Sequence, residues 1–142
     1  MSIRKLTEED YDAYLPLINQ FRPTTFTKED FSRVLNKIHN SSDIWVIQES
    51  DILVATATIM YEHKFLWNTC IYAHIEDVCV HKDYRRGGYG KKLVQHLLGE
   101  AKRHSCYKIT LDCASDNVPF YTACGLSPRG IQMCELASNL DL

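Results

Sequence analysis

Two neighbouring stretches of this chain carry residue types at spacings that chemistry could use. In His74-Ile75-Glu76-Asp77-Val78-Cys79-Val80, two adjacent carboxylates interrupt an apolar, β-branched run. Burying a lone carboxylate is costly unless it finds hydrogen-bond donors. The next residues, His81-Lys82-Asp83-Tyr84-Arg85-Arg86-Gly87-Gly88-Tyr89-Gly90-Lys91-Lys92, are basic and dense in glycine. If a helix begins there, several backbone N–H groups lack intrahelical partners and no side chains screen them. The macrodipole adds about half a positive charge, and Arg85 and Arg86 add two more, so a phosphate or pyrophosphate is the expected guest. A solvated basic loop with flexible glycines is the other reading of these residues.

Apolar periodicity supplies the elements that must position these groups. Leu93, Val94, Leu97, Leu98 and Ala101 form one helical stripe, while Lys91, Lys92, Gln95, His96, Glu100, Lys102 and Arg103 fall outside it. The whole reads as strand, anion-binding turn, helix. It is not a P-loop, because no Gly-Lys-Ser/Thr ending follows, and the Gly-x-Gly-x-x-Gly dinucleotide spacing is absent. Upstream, residues 2–6 alternate as a strand, and Thr7 is placed to cap a helix bearing Tyr11, Tyr14, Leu15 and Ile18. Pro16 is expected to kink or break that helix near Leu15. Thr27 and Asp30 have capping-box spacing ahead of Phe31, Val34, Leu35 and Ile38. Residues 44–49 and 52–62 form a hairpin through Ser50-Asp51, and residues 63–72 are irregular. Residues 107–113 read as a strand, Asp116 as the cap of a short helix ended by Gly125, and residues 130–136 as a last strand. The order β-α-α-β-β-β-α-β-α-β is mixed α/β.

Length and composition bound the function. At 142 residues the chain, 1–142, is expected to be a single domain. A net charge of −2 gives no reason to expect nucleic-acid binding, and no apolar run approaches the ~18 residues of a membrane span. The six cysteines form no C-x-x-C pair and follow no secretory signal, so reduced thiols in a cytoplasmic compartment are expected. The six histidines show no tight ligand spacing, and no metal is implied.

Arg85-x-x-Gly88-x-Gly90 resembles the Gln/Arg-x-x-Gly-x-Gly/Ala loop with which GNAT acetyltransferases cradle the pyrophosphate of acetyl-CoA. Three stretches narrow the resemblance to the glucosamine 6-phosphate N-acetyltransferases: His74-Ile75-Glu76-Asp77-Val78, Cys106-Tyr107-Lys108-Ile109-Thr110-Leu111-Asp112-Cys113, and Asn117-Val118-Pro119-Phe120-Tyr121-Thr122-Ala123-Cys124-Gly125-Leu126. Glu62-His63-Lys64-Phe65 is a weaker fourth. The resemblance implies a GNAT fold, with a central, mostly antiparallel, splayed sheet flanked by helices. It also implies acetyl-CoA as co-substrate, held by Val78, Cys79, Val80, Arg85, Arg86, Gly87, Gly88, Tyr89, Gly90, Lys91, Asn117 and Tyr121. Lys64, Glu76, Asp77 and Asp112 would bind the sugar, in a homodimer whose sugar sites are completed across the interface. The implied reaction acetylates the 2-amino group of D-glucosamine 6-phosphate, on the way to UDP-N-acetylglucosamine.

The chemistry agrees with that assignment. A thioester attacked by an amine needs the amine oriented, an oxyanion stabilised and a thiolate helped to leave. Backbone N–H groups near Val78 and Cys79 could polarise the carbonyl if the strand bulges or splays there. Tyr121 is the candidate acid for the thiolate, with a core aromatic beside Phe120 as the alternative. Glu76 and Asp112 are the candidates that handle the amine; surface or ion-paired carboxylates are the alternative. The chain departs from the family at two places. Its last segment, Gln132-Met133-Cys134-Glu135-Leu136, lacks the arginine that binds the sugar phosphate, and Trp67 stands where relatives have histidine. Lys64, Arg129, Arg22 or a second subunit would then hold the phosphate. Unphosphorylated glucosamine, a protein or peptide amine, and a non-catalytic acyl-CoA sensor are the other functions open to this sequence.

Overall fold

The computed structural model describes residues 1–141. Five strands lie in the order β1 (Ser2–Lys5), β2 (Ser42–Glu49), β3 (Ile52–His63), β4 (Ile71–Val80) and β5 (Lys108–Leu111). Neighbours among the first four are antiparallel, and β5 runs parallel to β4. A parallel neighbour needs a crossover, and the helix α4 (Tyr89–Arg103) supplies it. Side chains alternate across the sheet, so β2 sends Ile44 and Val46 to one face and Trp45 and Ile47 to the other. The first pair packs with Tyr14 and Leu17 of α1 (Tyr11–Phe21) and Phe31 and Leu35 of α2 (Lys28–Ile38). The second packs with Leu93, Leu97 and Ala101 of α4. Leu17, Leu93 and Leu97 are wholly buried, each contributing ~1.5–3 kcal/mol by its removal from water.

Local signals account for most of the boundaries. Thr27 Oγ1 accepts the Asp30 N–H at 3.1 Å and Asp30 accepts the Thr27 N–H at 3.3 Å, which is the capping box expected. At the first helix, a 3-10 turn (Glu8–Asp10) precedes α1, and Asp10 accepts the Thr7 N–H at 2.8 Å. The helix does not break at Pro16: α1 runs through it. The carbonyl four residues back, on Asp12, loses its donor on an exposed face where water replaces it. Ser50 takes a left-handed conformation (φ 51°) in the turn of the β2–β3 hairpin. The irregular stretch after β3 folds as a short turn, α3 (Leu66–Thr69), in which Trp67, Asn68 and Thr69 all have positive φ.

Two sequence expectations fail near the C-terminus. Asp116 lies inside a 3-10 turn (Ser115–Asn117), and Asn117 occupies the N-cap of α5 (Val118–Ala123). Residues 130–136 form no strand; Ile131, Met133 and Leu136 are 90, 88 and 64% exposed. A strand needs an edge to pair with and a face to cover. This segment pairs with no strand and is joined by a Gln132–Asp112 hydrogen bond of 3.3 Å to the residue that follows β5. Among the described residues no helix is long and apolar enough to cross a membrane.

Arg4 binds the buried Asp10 with two hydrogen bonds of 2.8 Å, tying β1 to the start of α1. The hydrogen bond from Arg4 holds the Asp10 carboxyl below its ordinary range. The resulting stability is present above the unfolded-state value of about 4 and is lost as pH falls through the lower folded-state value. Asp10→Asn is therefore expected to cost about 1 kcal/mol near neutral pH in urea unfolding, with the difference from wild type closing in acid.

Candidate active site

The irregularity of β4 builds the site. Thr56 pairs with Cys79 and Thr58 with Glu76, so one β3 residue faces two on β4, Asp77 and Val78. This is a bulge, and Asp77 carries it with φ 54°, a conformation that Asp tolerates better than most residues. The phase of the strand shifts by one, so that Glu76 and Cys79, three apart, both face α1. The Cys79 thiol donates to the Leu17 carbonyl at 3.6 Å, and burial pushes it up, so it is a packing group and not a nucleophile. The ladder between β4 and β5 ends at Ile75 opposite Leu111. Beyond that pair the strands part, and one backbone edge of residues 76–80 has no strand beside it. The expected bulge and splay are both present, the bulge at Asp77 and Val78 and the splay beyond Ile75, while the Val78 and Val80 side chains pack against the core beneath α4.

The basic turn follows directly. Lys92 donates the first bond of the α4 ladder, to Gly88 at 3.1 Å, so the N–H groups of Gly88, Tyr89, Gly90 and Lys91 precede it. Gly88 caps the helix with φ 76°. A Cβ on Gly90 would lie 3.1 Å from the Phe120 ring and 3.2 Å from a Val80 methyl, a tight fit that glycine avoids where the helix starts close against β4 and α5. Arg85 Nε donates to the Val80 carbonyl at 3.3 Å, while Arg86, Gly87 and Lys91 are exposed. The Tyr89 hydroxyl donates to Glu49 at 3.0 Å, fastening the turn to β2.

Tyr121 is half-buried on α5, and burial pushes its hydroxyl up, so the phenol keeps its proton across the neutral range. The Schellman closure after it, from Leu126 N–H to Tyr121 O at 3.1 Å and from Gly125 N–H to Thr122 O at 3.0 Å, fixes that end of the helix. Tyr121 and Asp112 line one open cleft of about 1090 Å³ with Lys108, Thr110, Arg129 and Gln132. Asn117 is exposed at the N-cap of α5.

The carboxylates divide. Glu76 and Asp112 meet at His74, whose Nε2 is 2.9 Å from Glu76 and 3.6 Å from Asp112. Its Nδ1 is 2.7 Å from the Thr110 hydroxyl. The three ligand-type atoms of His74, Glu76 and Asp112 lie within 4.8 Å of one another, a grouping the linear spacing of the histidines does not reveal. Asp77 does not join that group; together with Glu76 it borders an apolar cavity of about 570 Å³ between the sheet and the α1–α2 pair, lined by Tyr14, Phe26, Phe31 and Met60. Although much of Asp77 is open to solvent, desolvation of its carboxyl and the charge of Glu76 push it up, with Arg22 opposing. Lys64 pairs with Glu62 at 3.0 Å and stands 4.7 Å from the Tyr72 ring centre; Lys108 stands at the same distance from that ring. Trp67 stacks on Tyr107 at 5.3 Å. Sequence reasoning singled out neither Lys108 and Thr110 nor His74 as a group at this site. The period of two that places His74 beside Glu76 was readable, but the parallel register pairing Tyr72 with Lys108 and His74 with Thr110 was not.

A splayed, bulged strand feeding a glycine-lined helix N-terminus, with a phenol across the gap, is the arrangement of an acyl-CoA acyltransferase. Residues 3–126 match the sequence profile of the acetyltransferase (GNAT) family, and the chain belongs to it. Within the family it is 40% identical over 138 residues to the glucosamine 6-phosphate N-acetyltransferase of Arabidopsis thaliana, covering 92% of this chain and 93% of that protein. The Schizosaccharomyces pombe enzyme of the same name is 43% identical over 103 residues, covering 71% of this chain and 93% of that one. The crystal structure of the Arabidopsis thaliana enzyme superposes with a TM-score of 0.92 at 37% identity, covering 96% of this chain and 97% of that one.

Proposed function

We propose that this chain, as one catalytic domain, transfers the acetyl group of acetyl-CoA to the 2-amino group of D-glucosamine 6-phosphate. The product is the N-acetyl sugar phosphate used in UDP-N-acetylglucosamine biosynthesis. The observation that carries the substrate is the opposed charge along one face of β4 and β5. Tyr72, His74 and Glu76 run beside Lys108, Thr110 and Asp112, with ammonium groups over Tyr72 at one end and carboxylates at the other. In a 2-amino sugar 6-phosphate, C2 and C5 lie across the pyranose ring, so amine and phosphate also stand at opposite ends. Lys108 and Lys64 then serve the phosphate in place of the arginine that the C-terminal segment lacks.

In this reading the pyrophosphate of acetyl-CoA lies on the N–H groups of Gly88 to Lys91 with Arg85 and Arg86 alongside, and the pantetheine enters the splay. Asn117 borders the CoA from the start of α5. Val78 and Cys79 N–H groups polarise the thioester carbonyl. The amine, held by Glu76 and Asp112, attacks the carbonyl carbon; a C–N bond forms, and one of those carboxylates accepts the ammonium proton. As the C–S bond breaks, Tyr121 donates its proton to the departing sulfur. Asp77 and Lys64 contribute to the sugar site, and no step calls for a metal. The free thiols of all six cysteines support a reducing, cytoplasmic compartment. A second copy covers the open edge of β5 and the exposed Ile131, Met133 and Leu136, which support a homodimer.

Unphosphorylated glucosamine is the rival that the C-terminal segment favours, because Gln132-Met133-Cys134-Glu135-Leu136 carries no arginine and its one charged group is a carboxylate. Thiol release from acetyl-CoA, with glucosamine 6-phosphate, glucosamine and a lysine peptide offered in parallel, separates them. Strong preference for the phosphorylated sugar is expected; equal use of glucosamine, or acetylation of the peptide alone, sinks the assignment. Tyr121→Phe is expected to lower kcat by about 100-fold or more while acetyl-CoA still binds in calorimetry; unchanged turnover would exclude Tyr121 as the acid. Lys108→Met is expected to raise KM for the phosphorylated sugar by about tenfold, a charge-assisted contact's worth, and to leave KM for glucosamine unchanged. Sedimentation equilibrium is expected to give twice the chain mass, and a monomer at micromolar concentration would remove the dimer from this reading.

A further inference from the structure

His74 stands at the apex of the splay. It belongs to the last paired stretch of β4, opposite Thr110 of β5, and Glu76 and Asp112 are the first residues beyond the final pair, Ile75 and Leu111, one on each parting strand. Two ionised carboxylates whose oxygens approach within 4.8 Å repel and would widen the gap. The ring answers both, with Nε2 at 2.9 Å from Glu76 Oε1 and 3.6 Å from Asp112 Oδ2.

The partners fix which ring nitrogen carries hydrogen. Ionised carboxylates only accept, so Nε2 must be protonated to face them. In the neutral ring Nδ1 then presents a lone pair, and the Thr110 hydroxyl, 2.7 Å away, donates to it. Gln132 adds a donor to Asp112 Oδ2 at 3.3 Å, which leaves Asp112 Oδ1 and Glu76 Oε2 for an incoming amine. The other neighbours leave this geometry alone. Met60 and Thr58, opposite His74 and Glu76 on β3, carry no charge, Lys64 and Lys108 stand at Tyr72, and Asp77, on the bulge next to Glu76, feels the Glu76 charge with Arg22 of the α1 C-cap opposing but makes no hydrogen bond to His74.

We propose that His74 is a positioning residue, a clasp oriented by Thr110 that draws Glu76 and Asp112 from two diverging strands into a single cradle for the attacking amine. It does not touch the thioester and takes no part in holding CoA. Only the kinetic consequences of this proposal rest on the amino-sugar reading.

His74→Phe keeps the ring volume and removes both nitrogens, whereas His74→Gln can return an N–H to the position of Nε2. His74→Phe is expected to lower kcat/KM for glucosamine 6-phosphate about 10- to 100-fold, the loss of one hydrogen bond to charged groups, mostly in kcat because the phosphate end still binds. Acetyl-CoA affinity should stay within about twofold, His74→Gln should recover most of the activity, and Thr110→Val should fall between. Activity of His74→Phe close to wild type, equal damage from His74→Gln, or a parallel loss of acetyl-CoA affinity would each overturn the clasp. Nitrogen NMR of histidine-labelled, substrate-free protein tests it without any substrate. The His74 resonances, assigned through His74→Gln, should report the Nε2-protonated tautomer, and Thr110→Val should perturb them. An Nδ1-protonated ring overturns the proposal even if the enzyme is active. A wild type inactive on the sugar removes the amino-sugar reading and leaves this NMR result to decide.

Discussion

The parting of β4 from β5 after Ile75 and Leu111 is the constraint on which the rest of this structure depends. A parallel ladder continued past that pair would, together with the β3 ladder, consume the backbone groups on both edges of β4. By ending the ladder there, and by inserting Asp77 as an extra residue against β3, the fold leaves one edge of residues 76–80 unpaired inside an otherwise continuous sheet. Strand backbone is seldom left this way, because an unpaired N–H is costly unless a ligand or water takes it. Here the parted edge opens beside the N–H groups that begin α4, and the two together make one continuous run of donors.

What holds the strands at that separation is packing on both faces. Below, Leu93, Leu97 and Ala101 of α4 bear on Ala73 and Ile75, just before the strands part. Above, Leu17 and Tyr14 of α1 bear on Cys79, just after the bulge. The bulge allows this, since without the shift of phase Cys79 would turn to the α4 face and leave α1 unsupported. Gly90 completes the arrangement from the other side, where any side chain would meet Phe120 and Val80. The same burial sets the chemistry of the nearby groups. It keeps Tyr121 protonated and holds Cys79 as an inert thiol.

Two groups of charge stand along one face of β4 and β5. Lys64 and Lys108 gather on Tyr72, Glu76 and Asp112 gather on His74, and the spacing between the two groups is set by the period of two in parallel strands. A substrate bearing a cation and an anion at opposite ends is complementary to this face in one orientation only. The C-terminal segment, with Glu135 and without an arginine, adds nothing to the cationic end from within the chain.

The amino-acid sequence by itself determined the helices, the capping box at Thr27, the β2–β3 hairpin and the glycine-dense turn that starts α4. Each of these depends on residues a few positions apart, whose spacing acts before any long-range contact forms. Through Arg85, Gly88, Gly90 and the carboxylate-bearing strand, the sequence also pointed to acetyl transfer. The tertiary structure alone decided what stood across a register: His74 between Glu76 and Asp112, Lys108 beside Lys64, and Asp77 on the bulge, at the rim of a cavity that Glu76 also lines. It also decided that residues 130–136 remain without a strand partner, because alternation prescribes a face but does not bring the segment into register with the outer edge of β5. Pairing register is a property of two segments far apart in the chain, here β4 and β5 with α4 between them, and neither segment states it alone.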